Sequence, residues 1–518
     1  MSFDSRLDRR TFLKGVGVAG GMATFGSMGA LLDACSTSPS STVSGSPVRG
    51  GKLTLATVDT PINMDPQDSQ LYSSVQVFKN IFARLIDINA DFTFHPALAT
   101  KWNQDDAKTW TVDLLDGATF HNGEPVTAND VKFSFERVKQ HPDAIFLQAF
   151  DTVEVLAKNK VRFHMAGPYG LFEAALAGFG DIVNEKAVTS ADPKLHPVGA
   201  GPYKMSEWVQ NDHITLERYD KYFKSDRPYI DTVVFKSIGD DSVRLTGLQT
   251  GELGWIQRVP PQQMSSLLSD TSIKHTEAFP YLPDFIWLNC SKPPFNDVRV
   301  RQAIAWSVNP AEIAKLVYFS GAAAATEAIS PPNSFYSGAN PYKGGPDPEK
   351  AKSLLKQAGK ENLHITFLGQ ANLPTQIRSG EVIKSQLAAS GITMDIKSFE
   401  AAQFFDQLLN KKYDIMTGYW SASFDPGFLY YPILQSKSAW NFVGFQDAKV
   451  DELLQSFVFN PDQKARHSVY PDLVNAVATA APIIFIDNEI QQYWTGKNVS
   501  GAQVLSTIDI RVEDMWVK

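Results

Sequence analysis

Residues 347–420 constrain the fold more than any other stretch of this chain. Asp347-Pro348-Glu349 opens a helix with Ala351, Leu354, Leu355 and Ala358 on one side and Gly359 at its end. Leu363, Ile365 and Phe367 then alternate as a strand, and residues 376–390 form a helix that buries Ile383 and Leu387 and stops at Gly391. Ile392, Met394 and Ile396 make the next strand, 400–411 another helix and 413–420 another strand. Strands separated by helices cannot pair as hairpins. Each helix must cross over and cover a face of the sheet, so the run predicts a three-layer α/β lobe. The chain has 518 residues, too many for one ordinary core, so two or three domains are expected.

The first half supplies the other pieces. Residues 51–57 alternate as a strand with Leu53 and Leu55 on one face, then turn at 58–61. Ligands of open α/β sheets are met beyond the carboxyl ends of strands, which makes Thr57 and Asp59 candidate cleft residues. Residues 75–88 read as a helix bearing Val77, Ile81 and Leu85 that runs into a short strand, 85–88. Around 97–125 two strands are joined by Asp-Gly and Asn-Gly turns, with His121 a solvated turn residue. Thr127 to Asp130 reads as a capping box for a helix burying Val131, Phe135 and Val138. The glycines of Val198-Gly199-Ala200-Gly201-Pro202-Tyr203 suit a tight turn before a hairpin, 203–208 and 213–218. Residues 285–289 are a buried strand. A Pro-Pro break follows, then a helix from Asp297 with Val300, Ile304 and Val308 inward, and Asn309-Pro310 caps the next one.

A net charge of −8 without any dense basic run excludes a nucleic-acid partner. No GxSxG, HExxH or CxxC occurs, the nine histidines lack ligand spacing, and Ser353-Leu354-Leu355-Lys356 lies inside an amphipathic helix with no companion motif. No enzyme activity, metal or cofactor is therefore expected. Cys290, in the apolar strand, reads as a buried inert thiol. The first 35 residues read as an address. Asp8 to Lys14 resembles a twin-arginine export motif and a Gly/Ala-rich run follows. The GxGxxG at Gly15, Gly17 and Gly20 lies inside it and lacks the strand a nucleotide site needs. Leu32-Asp33-Ala34-Cys35 resembles a lipobox, although Asp33 is unusual there, which makes Cys35 the expected lipidation site. Residues 36–49, rich in Ser, Thr, Pro and Gly, would be a flexible tether.

Several of these segments together resemble the extracellular solute-binding proteins of family 5, the dipeptide- and oligopeptide-binding components of ABC importers. They are Asn289-Cys-Ser-Lys-Pro-Pro-Phe-Asn-Asp-Val-Arg-Val-Arg-Gln-Ala303, the Asn63-to-Gln67 turn, residues 97–138, the Val198-to-Tyr203 glycines and the Trp420-to-Gly427 loop. The resemblance implies a two-lobed periplasmic-binding-protein fold of large, type II-like form, with a subdomain inserted in lobe I. Its implied parts are lobe I from 50–95, 198–284 and 497–518, the insert at 96–197, and lobe II at 285–496. Hinge crossings are expected near 284–289 and 496. It implies a monomer, exported to the periplasm or the outer face of the cytoplasmic membrane, that captures a small solute, most simply a peptide, and hands it to a permease and ATPase.

In the family the strand at 253–260 borders the cleft, so Trp255, Gln257 and Arg258 are candidate ligand residues. The loops after two lobe II strands add Gln370, Trp420, Ser421, Ser423 and Asp425. Peptide-binding relatives hold the ligand's ammonium with an Asp where Ser423 stands here. Dipeptide-type relatives hold its carboxylate with an Arg in the loop that reads Gln370 to Pro374 here. Both anchors differ, which leaves open a terminally blocked peptide, or a sugar derivative, opine or metal chelate. A sensor or assembly protein that kept the fold without transport is also open.

Overall fold

A seven-stranded sheet forms the first lobe. Its order is Tyr203–Val209, His213–Arg218, Thr232–Ser237, Lys52–Thr57, Trp255–Ile256, Gln492–Gly496 and Ile273–Glu277. These elements come from a computed structural model that describes residues 46–68, 72–89, 91–277, 282–319, 321–331, 333–420, 424–490, 492–503, 505 and 510–518. Residues 45–518 form one compact unit, and the N-terminal unit, with Cys35, lies outside the described residues. The strand Lys52–Thr57 pairs in parallel with a neighbour on each side and buries Leu53 and Leu55. Near-complete burial of Trp255 and Trp494 fits a sheet covered on both faces.

A second sheet of six strands runs Ala322–Ala324, Ile483–Glu489, Leu282–Leu288, Ile415–Tyr419, His364–Gln370 and Thr393–Phe399. His364–Gln370 lies between the two strands that follow it and is parallel to both. Right-handed crossovers then put the helices Pro374–Ala388 and Ala401–Leu409 on opposite faces, which is the layering the sequence predicts. The first of these helices starts two residues earlier than expected, because Pro374 has the fixed φ of a first helical position. A third sheet, Ala99–Gln104, Thr109–Leu114, Lys160–Met165 and Phe150–Ala157, carries the helix Ala128–Val138. The Asp130 carboxylate accepts from the Thr127 amide at 2.9 Å, closing the capping box, and Val131, Phe135 and Val138 are buried.

The chain passes between the two large sheets twice. Ile273–Glu277 belongs to the first and Leu282–Leu288 to the second, so the outward crossing precedes the strand read as the hinge. That strand is central and wholly buried, and a strand hydrogen-bonded on both sides cannot act as a pivot. The return falls between Glu489 and Gln492 rather than near 496, because Gln492–Gly496 already pairs within the first sheet.

Three local expectations are corrected by tertiary contacts. The helix expected from 75 up to the strand at 85–88 is only Tyr72–Phe78, while the strand stands at Ile86–Ile88. The carbonyls of Asn80 and Ile81 accept instead from the amides of Tyr203 and Gly201, at 3.0 and 2.8 Å. The glycines of that signature serve this approach. A Cβ on Gly199 would stand 2.0 Å from the Ile81 carbonyl oxygen. His121 is not solvated: Nε2 donates to the Gly201 carbonyl at 3.1 Å, the ring packs edge-on to Tyr219, and burial pulls its pKa down to about 4.

The Asn289-to-Ala303 signature is bracing. Asn289 Nδ2 donates to the carbonyls of Lys411 and Tyr413, and Arg301 donates to those of Phe295 and Ala480. Cys290 is buried with its thiol pushed up to about 11 by loss of water, and it donates to the Leu288 carbonyl.

Candidate functional site

The two large sheets meet where their strands change over. Gln257 and Arg258 follow the short strand Trp255–Ile256 of the first lobe, and Glu489 ends Ile483–Glu489 of the second. The Arg258 guanidinium reaches Glu489 Oε1 at 3.1 Å and Oε2 at 3.2 Å. This ion pair therefore ties one lobe to the other. The Glu489 side chain keeps only 18% of its surface and Arg258 39%, so the pair is half enclosed. The neighbouring carboxylate holds the guanidinium above its ordinary pKa. Arg258 Nε is buried without a partner. Gln257, Arg258 and Met264 on one side and Tyr318, Thr375 and Glu489 on the other line a solvent-open crevice of ≈ 590 Å³.

Phenols surround the pair. Gln257 Nε2 donates to the Tyr72 hydroxyl, and its carbonyl accepts from Gln76 at 3.2 Å. Tyr419 is 50% exposed, yet the closing walls strip enough water from its hydroxyl to raise its pKa, and Glu489 and Asp59 add to the shift.

Below lie two more carboxyls. Asp284 stands opposite Asp487 on one neighbouring strand and Tyr419 on the other. Asp284 Oδ2 accepts from the Tyr318 hydroxyl at 3.1 Å, while both oxygens of the buried Asp487 lack a partner. Burial, with smaller repulsion from Glu489, pushes Asp284 up to about 7, and burial with the Asp284 charge raises Asp487 well above the carboxylate range. Two facing carboxyls in so dry a place do not both ionise readily near neutrality.

Of the residues singled out from sequence, Asp59, Gln257 and Arg258 come together here. Thr57 is nearby but fully buried, its hydroxyl donating to the carbonyls of Asp59 and Lys236. Trp255 is core: it is 0% exposed and packs on Tyr493 at 4.8 Å. Gln370 bridges its own loop to Asn372, and Trp420 Nε1 donates to the Phe428 carbonyl. Ser421 and Ser423 lie outside the described residues.

Asp425, read as a ligand anchor, is committed elsewhere. Each of its oxygens accepts from Arg466 Nη2 at 2.8 Å, Oδ1 also takes the Gly427 amide, and Arg466 is 1% exposed. A carboxylate so paired has no strong site left for an ammonium. Sequence reasoning missed Tyr72, Asp284, Tyr318, Tyr419, Asp487 and Glu489. One signal was present: Asp487-Asn488-Glu489 puts two acids at the end of an apolar strand.

A fold of two sheeted lobes joined by two crossings, with polar groups facing each other at the changeover, defines a binding protein of the hinged periplasmic class. The profile of the bacterial extracellular solute-binding proteins, family 5, middle region, matches residues 93–442, and the chain belongs to that family. The glutathione-binding protein GsiB of Pectobacterium atrosepticum is 27% identical over 491 residues, covering 90% of this chain and 95% of that one. Among solved structures, the ABC transporter-associated protein DppA of Helicobacter pylori, in complex with the peptide STSA, superposes with a TM-score of 0.81 at 24% identity, over 91% of this chain and 98% of that one. AgaA of A. tumefaciens R10, in complex with agropinic acid, also gives 0.81 at 24% identity, over 90% and 99%. The family is extracellular, and among the described residues no helix is long and apolar enough to cross a membrane. Nor do any three His, Cys, Asp or Glu side chains among them gather as metal ligands.

Proposed function

We propose that this chain is the solute-binding component of an ABC importer, that its solute is a short peptide or peptide-like molecule, and that capture works by closure of the two lobes. The carrying observation is the Arg258–Glu489 pair with Asp59, Tyr72 and Tyr419 around it, a set of charged and phenolic groups drawn from both lobes into one crevice. A solute touching both walls is held more tightly by the closed than by the open arrangement, and that difference is what shifts the population. The permease and its ATPase would read the closed shape.

The peptide class is supported by the relatives, one named for glutathione and one solved with a tetrapeptide. The loop at Gln370 to Pro374 and the commitment of Asp425 indicate that the ends of the ligand are held differently from the dipeptide mode. Cys35 is the proposed lipid attachment point, following a twin-arginine signal, and residues 36–49 the tether that keeps a monomeric binder near its permease. No catalytic step is part of this role.

Native mass spectrometry of the exported protein, followed by titration of glutathione and of short peptides in calorimetry, tests the reading. Peptide masses in the native spectrum, and at least roughly tenfold weaker binding in Arg258→Gln, are expected, since a lost charge-assisted contact is worth more than 1.4 kcal/mol. A single non-peptide mass, such as an opine or a metal chelate, would replace the peptide class.

A further inference from the structure

The inserted subdomain meets the second lobe along a seam separate from the crevice. Gly170 lies between the strand Lys160–Met165 and the helix Phe172–Phe179. Its amide donates to the Val458 carbonyl at 2.9 Å. Its own carbonyl accepts from Arg466 Nη1 at 3.1 Å and Gln463 Nε2 at 3.2 Å. Val458 ends the helix Ala448–Val458, and Gln463 and Arg466 lie on Gln463–Ala480, both in the second lobe. Beside these contacts Phe146 and Phe179 of the insert stack at 3.9 Å. Phe428 of the second lobe stands edge-on to both, at 5.7 and 5.3 Å. Phe424 closes the group 6.1 Å from Phe179.

Phe424 and Asp425 also belong to the loop that starts at Trp420. The same Arg466 that grips Gly170 grips Asp425. One guanidinium, nearly devoid of solvent, therefore joins the insert, the long helix and the loop, and its planar fork can serve all three at once.

We infer that this seam is a clasp: the insert, and not only the solute, holds the lobes in the closed arrangement and fixes Phe424 and Asp425. The inference rests on the reading that the lobes open and close. An opening motion must break the Gly170 hydrogen bonds and part the phenylalanines, so it must work against the clasp. The clasp then sets how much of the solute-free protein is already closed, and apparent affinity scales with that fraction. It also explains why the acid of the loop is paired internally: Asp425 positions the loop through Arg466 and does not touch the solute.

Gly170 offers a clean test. Its backbone lies outside the left-handed region, so alanine fits the local conformation. An added Cβ would stand 2.1 Å from the Asn460 carbonyl oxygen and 2.7 Å from Arg466 Cδ, both across the seam. Gly167, in the same segment, has nothing within 4 Å of its Cβ position and serves as the control.

Hydrogen exchange read by mass spectrometry on the full solute-free chain compares wild type, Gly170→Ala and Gly167→Ala. The clasp predicts roughly tenfold faster exchange in peptides covering 424–434 and 455–466 of Gly170→Ala, with 282–288 unchanged and Gly167→Ala like wild type. Unchanged exchange at 424–434 in Gly170→Ala overturns the inference, and so does acceleration spread evenly over the chain, which marks general destabilisation. If Gly170→Ala does not fold, Phe179→Leu removes the stacked ring with little change of volume and is read at the same peptides. Solute-free protein carries the whole measurement, so failure to find a peptide ligand would leave its outcome intact.

Discussion

Asp487 shows what a single buried side chain can impose. It is 0% exposed, faces Asp284 across the strand pair and finds no hydrogen-bond partner. An unfolded Asp titrates near 3.9, whereas folding raises Asp284 to about 7 and Asp487 well above the carboxylate range. Between those limits the folded state binds more protons than the unfolded one, so this pair's contribution is fully present near pH 4 and is lost as pH rises through about 7. Tyr318, Tyr419, Glu489 and Arg258 are the other titratable groups around it, and the Glu489 charge makes ionisation harder still. Asp487→Asn removes one ionisable member at nearly constant shape. We expect its melting temperature to gain on that of wild type by more at pH 8 than at pH 4, in thermal denaturation at the two pH values. A gain of equal size at both would show that charge is not the cause. In the sequence, Ala481 to Asp487 is an apolar run that reads as a strand. It could not show that its last acid would face another, because that depends on which strands become neighbours.

At the scale of elements, the sequence periodicity was a good guide wherever an element's own hydrogen bonds decide its extent. The helices Val298–Ser307 and Pro310–Tyr318 begin at their Asp297 and Asn309 caps, whose side chains accept from Arg299 and Glu312 amides. It failed at 79–84, where the last carbonyls of a would-be helix are claimed by Gly201 and Tyr203 from far along the chain, and it held for the short strand that follows, Ile86–Ile88. The contact depends on the absence of side chains: a Cβ on Gly199 would meet only backbone atoms, Ile81 O at 2.0 Å, Ile81 C at 2.6 Å and Phe82 Cα at 2.9 Å. Backbone cannot swing aside as a rotamer can. Gly199→Ala should therefore cost about 2 kcal/mol or more of stability, at the upper end of what overpacking does. Urea unfolding would read this as a lower midpoint at unchanged slope. A midpoint equal to wild type would mean that the turn, not the approach, explains the glycine.

For the whole molecule, the chain passes between the two large sheets after Glu277 and again after Glu489, and Arg258–Glu489 and the Gly170 seam are contacts that opening would have to rearrange. Solute that bridges the walls should contract the molecule. Small-angle scattering is expected to show a smaller radius of gyration with saturating peptide than without it, and an unchanged radius would argue for a cleft that is already closed when empty. The sequence alone determined the α/β layering, the capped helices and the family resemblance, because each follows from local periodicity, capping chemistry or short contiguous motifs. It also brought Asp59 forward as a strand-end residue, and the resemblance brought Gln257 and Arg258. Only the tertiary structure decided that Trp255 is core, that Asp425 belongs to Arg466, and that Glu489, Tyr419 and the Asp284–Asp487 pair surround the crevice. Those assignments depend on which distant side chains share one desolvated place, and partners 41 to 231 residues apart leave no mark in local pattern.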